Sequence, residues 1–215
     1  MLFFAVAFTA CQTDSYESGQ GDLSLVTADF AEVHTAASGV VDYAFTDAAD
    51  SLVLASPFGA SWASVADTMY RAIVYYDRSA DTKVRARSIV EVPVLAPVAS
   101  DRLDSVYTDP LDLESVWVSA GGKYLNMGVY VKVGYDAPAD AVHSIGVVVD
   151  KVSISQSGKR TAHLRLYHDQ GGVPEYFSSK TYLSVRCADL QADSAVLSVN
   201  TWNGPVERRI SLSEQ

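Results

Sequence analysis

Histidine is the side chain best suited to acid–base or metal chemistry near neutral pH, and the four present are spaced for neither. His34, His143, His163 and His168 form no HExxH or HxH pattern, and His163 and His168 lie five apart in one predicted strand, which sends them to opposite faces. They read as surface or strand-end residues. Gly121-Gly122-Lys123 lacks the upstream glycine and the following Ser or Thr of a phosphate-cradling loop, and it opens a strand rather than a helix, so it reads as a turn. The serines include no Gly-x-Ser-x-Gly elbow, and no pair of acids is singled out by its spacing for general acid–base work. The expectation is no catalytic site, no cofactor and no metal. An enzyme would need a site assembled only in three dimensions.

Binding chemistry is better represented. Lys83, Arg85 and Arg87 alternate along one predicted strand and share a face, with Arg71, Tyr75 and Trp62 elsewhere in the same half. Guanidinium forks fix hydrogen bonds and aromatic rings stack, so this face could hold a carbohydrate or a peptide; the plain alternative is a polar outer sheet face. Nucleic acid is excluded as a non-specific partner. Sixteen Lys plus Arg against 26 Asp plus Glu leave a net charge of −10, and phosphate backbones require a basic footprint.

The first eleven residues, MLFFAVAFTAC, are apolar and uncharged and end in Phe8-Thr9-Ala10-Cys11, which resembles a bacterial lipobox with Phe8 in place of the usual Leu. In that reading Cys11 becomes the acylated N-terminus and holds the protein to a membrane. A basic n-region is missing, so an earlier start codon is expected upstream of Met1. Residues 12–22 supply a polar, glycine-containing tether. Once Cys11 is acylated only Cys187 remains, so no disulfide within the chain is available and core packing must hold the fold. Alternation places Leu183, Val185 and Cys187 on one face, and Cys187 reads as a small buried hydrophobe rather than a reactive thiol.

These residues need elements to carry them, and the elements read as strands. With 48% hydrophobic and 20% charged residues the chain can bury a core. Residues 1–70 hold nine acids and no Lys or Arg, a pattern that keeps the membrane-proximal part soluble. Strand signals occur at Ser24 to His34, Val40 to Thr46, Ser51 to Ala55, Tyr70 to Tyr76 and Val84 to Val94, enough for a small barrel over 23–95, with Ser61 to Met69 as one short helix. A Pro-, Asp- and Ser-rich stretch follows, predicted as a linker over 96–111. Beyond it come signals at Leu113 to Ser119, Lys123 to Val133, Val142 to Ile154, Thr161 to His168, Ser179 to Cys187, Ala195 to Trp202 and Val206 to Leu212, spaced as in a sandwich over 112–215. In Lys123 to Val133, Leu125, Met127, Val129, Val131 and Val133 share one face, while Tyr124, Asn126, Gly128, Tyr130 and Lys132 share the other. The fold class is all-β.

The lipobox cysteine, the tether and the run from Asp109-Pro110-Leu111 through Trp117 to Gly121-Gly122-Lys123-Tyr124-Leu125, together with Leu164 to Gly172 (LRLYHDQGG), resemble the NigD-like lipoproteins of Bacteroidota. The resemblance spans nearly the whole mature chain and implies an N-terminal OB-like barrel followed by an immunoglobulin-like sandwich. It assigns no biochemical role; the family name derives from a bacteriocin operon, which makes immunity or export an associated expectation. Four Asp-Ser/Thr-aliphatic triplets, starting at Asp50, Asp67, Asp104 and Asp193, resemble the O-glycosylation acceptor of exported Bacteroidota proteins, and Ser105, in the predicted linker, is the copy an enzyme could reach. The expected protein is a non-enzymatic outer-membrane lipoprotein acting as a binding or assembly module for a glycan or protein. The alternatives are an envelope hydrolase and a bacteriocin immunity- or export-associated protein.

Overall fold

The computed structural model describes residues 26–77, 83–138 and 140–212; Cys11 and the tether expected at 12–22 lie outside them. Period-two alternation shapes the first half. In β1 (Val26–Ala37), Ala31, Val33 and Thr35 are fully buried on one side, while Phe30, Glu32 and His34 face the other. β1 pairs with β2 (Val40–Thr46) across a turn at Gly39, whose φ of +70° suits glycine. β2 pairs with β3 (Ser51–Gly59), β3 runs parallel to β5 (Lys83–Glu91), β5 pairs with β4 (Thr68–Asp77), and β4 returns to β1. The result is a closed five-stranded barrel in the order β1-β2-β3-β5-β4. Val33, Val41, Leu52, Leu54, Val74 and Ile89 fill it, each stabilising the fold by about 1.5–3 kcal/mol on full burial.

The second half is a sandwich. β6 (Val98–Ala99), β9 (Ser144–Ile154), β10 (Arg160–Asp169), β12 (Ser194–Thr201) and β13 (Gly204–Ser211) form one sheet, in the order β13-β12-β10-β9-β6. β7 (Asp112–Val118), β8 (Tyr124–Val133) and β11 (Phe177–Arg186) form the other, in the order β11-β8-β7. β10 pairs with β12 in parallel, as β6 does with β9. Leu125, Met127, Val129, Leu164, Leu183 and Leu197 interdigitate between the sheets. The chain is all-β, as its alternation implied.

Three segments differ from their local signals. Residues 61–67 form turns and bends instead of a helix, and Thr68 and Met69 open β4. The backbone partners there come from the β1–β2 hairpin: Gly39 N–H donates to Ala63 O at 2.8 Å and Asp67 N–H to Thr35 O at 2.7 Å, with Asp67 held at φ +51°. The stretch 96–111 is stitched along the sandwich. Val98 and Ala99 pair with β9, Thr108 bridges His168, and the N–H of fully buried Leu111 donates to Asn200 O. Cys187 opens a one-turn helix, α1 (Cys187–Leu190), half-buried against the core.

The largest departure concerns the polar face of β8. Alternation gives Tyr124 and Asn126 to solvent, yet they are 2% and 0% exposed, because the outer face of β1 and β4 sits on them. Phe30 packs edge-on against Trp117 and Tyr182, each at 5.3 Å between ring centres. Glu32 accepts from Lys123 Nζ at 2.5 Å and Tyr124 Oη at 2.8 Å. Burial opposes ionisation of Glu32, but these two donors outweigh it and hold the carboxyl below its usual range.

Candidate functional site

Arg71, which the sequence places only in the same half as the basic strand, is the centre of this joint. Its guanidinium is 1% exposed and forks onto Asp47 at 2.5 and 2.7 Å, donates to Asn126 Oδ1 at 3.1 Å, and lies over the Tyr124 ring at 4.2 Å. Ser184 Oγ donates to the same Asn126 oxygen at 2.7 Å. Barrel and sandwich are thereby locked by a charged, hydrogen-bonded contact. Its register is set by β1 and β4, where Glu32 stands opposite Arg71.

Lys83, Arg85 and Arg87 are all exposed on one face of β5, as their alternation implies. Arg87 Nε pairs with Asp77 at 2.7 Å; among the described residues Lys83 and Arg85 form no ion pair. Trp62 packs edge-on against Tyr70 at 5.8 Å and Tyr75 is half-buried, so the face is chiefly cationic. Ser105 is exposed in irregular chain between Asp104 and Val106. Burial pushes the Cys187 thiol up, away from the thiolate a nucleophile needs.

The histidines separate into three environments. His163 bonds to Ser153 on the outer face of the sandwich. His34 lies between Asp42 at 2.7 Å and Asp67 at 3.2 Å and stacks on Tyr43; those carboxylates raise its pKa, Asp42 most. His168, read as a surface or strand-end residue, is only 1% exposed, since it follows Leu164 and Leu166 on the inward side of β10. Its Nδ1–H donates to the main-chain oxygen of Asp109 at 3.0 Å, and its Nε2 then accepts from His143 Nδ1 at 3.0 Å. His143 Nε2 is left buried without a hydrogen-bond partner, and burial, reinforced by His168, lowers the His143 pKa. Spacing could not reveal this pair, because the two rings are 25 positions apart and meet through loop packing.

The His143–His168 contact braces the end of the sandwich remote from the barrel. Gln170 completes the brace: its N–H donates to Asp109 Oδ2, and its side-chain amide donates to the main-chain oxygens of Lys132 and Val173. Gly171, at φ +58°, passes so close to Val142 that a Cβ would lie 2.0 Å from its carbonyl oxygen. Above this frame Tyr135 and Tyr176 are 71% and 70% exposed, Val142 is 66% exposed, and Phe177 meets Tyr135 at 5.3 Å. Lys132 joins the group by bonding Ser178 and lying 5.8 Å from the Trp202 ring centre. Rigid loops carrying exposed aromatic rings form a surface suited to contact. Among the described residues, no group of three or more His, Cys, Asp or Glu is placed to hold a metal ion.

Residues 94–209 match the family of the NigD-like C-terminal beta sandwich domain. Solved structures share the overall fold. A NigD-like immunity protein from Bacteroides caccae superposes with a TM-score of 0.61 at 23% identity, covering 85% of this chain and 91% of its own. A protein named as toxin-related from Parabacteroides distasonis gives 0.64 at 16% identity, covering 88% and 94%. One named as a lipoprotein from Bacteroides fragilis gives 0.62 at 10% identity, covering 87% and 98%. No curated protein matches the chain.

Proposed function

The chain belongs to the NigD-like family, and from that premise we propose that it is a non-enzymatic lipoprotein of the cell envelope that presents a binding or assembly surface. One observation carries the reading: the joint around Arg71 holds the sandwich at a fixed angle to the barrel. β8 then runs ten residues outward from the joint, from Tyr124 to Val133, placing the aromatic loop end about 30 Å beyond it. The described barrel begins at Val26, so an anchor at Cys11 attaches on the barrel side and the loop end is available to a partner. A lipoprotein name among the structural neighbours accords with envelope placement, and the outer membrane is the membrane we assign. Immunity, raised by one neighbour's name, is one use to which such a module could be put, and export, expected from the family resemblance, is another.

A hydrolase reading built on His143 and His168, the two rings the structure brings together, meets an obstacle. The ring nitrogen left over on His143 is shut away from solvent and out of a substrate's reach. Lys83, Arg85 and Arg87 stay in the proposal as a second presented face, for a glycan or peptide. Feeding cells a labelled fatty acid tests the anchor: label should enter the protein, follow the membrane fraction and vanish with Cys11→Ala. Label retained by that variant refutes the anchoring.

A further inference from the structure

Exposed aromatics and uncompensated charge coincide at the loop end. Tyr135, Tyr176 and Phe177 come from two loops forced together at Gly134, where a Cβ would lie 2.7 Å from both Pro174 and Tyr176. The rings therefore stand on a braced frame and lose little freedom on binding. In the same chain segments Asp136, Asp140 and Glu175 are exposed and, among the described residues, form no ion pair; Lys132, near the end of β8, is already bonded to Ser178. A monomer gains nothing from holding carboxylates of one sign around exposed apolar rings, because the charges repel each other and the rings order water.

We infer that this end of the sandwich docks a cationic polypeptide segment whose Lys or Arg side chains meet the acidic rim while its apolar side chains cover Tyr135, Tyr176 and Phe177. The inference rests on the binding-module reading and supplies its partner class. Charge complementarity selects this occupant. Anionic membrane surfaces and nucleic acid are repelled by the rim, and a second copy meeting it end to end would bring the same carboxylates against it. Neutral sugars carry no charge to answer the carboxylate excess, and the 43° tilt between the Tyr135 and Phe177 rings offers no common stacking platform.

The test uses the full-length chain and three fluorescent peptides of equal length: one mixing Lys with Leu and Tyr, one with Lys replaced by Glu, and one keeping Lys but with Ser for Leu and Tyr. The first peptide should bind, weaken at least tenfold when salt rises from about 50 to 500 mM, and protect residues 134–137, 140–143 and 170–177 from hydrogen exchange. The double variant Tyr135→Ser/Tyr176→Ser should lose at least tenfold in affinity with an unchanged thermal midpoint, since both rings are exposed. Equal binding of the Ser-containing peptide, protection elsewhere, or an unaffected double variant overturns the proposal. So does self-association or flotation with zwitterionic vesicles that the double variant abolishes. Arg85→Ala separates this failure from that of the wider reading. If the peptide binds but only Arg85→Ala weakens it, the docking site is wrong and the binding module stands; if no surface variant alters any association, both fall.

Discussion

Arg71 in β4 donates to the side-chain oxygen of Asn126 in β8 at 3.1 Å, joining positions 55 apart and making one body of two β units. The same guanidinium forks onto Asp47, so a single buried cation answers to two partners, one from each half of the chain. Arg71 Nε and Asn126 Nδ2 are buried there without protein partners, a site with room in its hydrogen bonding for ordered water.

Arg71→Met strands Asp47 and Asn126 and should lower stability by about 3 kcal/mol, the scale for breaking a buried charge pair from one side. Arg71→Lys keeps the charge without the fork and should fall between. Urea unfolding reads the size, and calorimetry reads the coupling: one transition in the native chain should split in the Met variant. An unshifted midpoint would falsify the role given to the joint.

Two histidines should give stability opposite dependences on pH. Hydrogen bonds donated to Asp42, then Asp67, raise the His34 pKa above its ordinary 6.5, so its contribution is fully present below that value and fades as pH climbs through the raised one. Burial and His168 lower the His143 pKa, so the unfolded chain takes up its proton more readily and the fold loses stability as pH falls below 6.5. His34→Asn should therefore weaken the protein at about pH 6 more than at about pH 8.5, while His143→Gln should flatten the loss at about pH 5 to 6. Urea midpoints across this range, with ring-proton titrations by NMR, check both slopes; slopes of the same sign contradict the assignment.

Neighbouring glycines should respond unequally to one methyl group. Gly171→Ala drives a Cβ to 2.0 Å from the Val142 carbonyl oxygen and must push Val142 away, at a cost of about 3 kcal/mol or more. Gly172, at φ +76°, has nothing within 4 Å, so Gly172→Ala bears only the left-handed backbone penalty of about 1 kcal/mol. Comparable losses in thermal melts of the two variants would mean the contact with Val142 is not maintained in solution.

Ser105 is exposed in irregular chain after Asp104, the geometry a modifying enzyme requires. Protein recovered from its native host should carry a glycan mass that Ser105→Ala removes, leaving the thermal midpoint within about 0.5 kcal/mol equivalent. Intact-mass spectrometry decides the matter, and masses that differ only by the oxygen atom lost in the substitution refute the assignment.

Much of the architecture was legible because strand alternation is local. Leu125, Met127, Val129 and Val131 advertise an inward face by their spacing alone, and the structure buries all four. The same rule exposed Lys83, Arg85 and Arg87 correctly. It could not see what covers an outward face. Asn126 and Arg71 look like solvent residues in their own strands, and they are buried because each lies where the other half of the chain lands.

By itself the sequence determined the all-β class, the sheet face of most side chains and the acidic balance, since each depends on residue type and on a repeat of two. Tertiary structure alone decided which polar residues were buried, that residues 96–111 joined the sandwich through Val98, Thr108 and Leu111, and that His143 met His168. It also gathered Tyr135, Tyr176 and Phe177 at one end. The physical reason is common to all of these: backbone and side-chain polar groups accept whichever partner the fold brings within about 3 Å, and that partner is set by strand pairing across tens of residues rather than by neighbours in the chain.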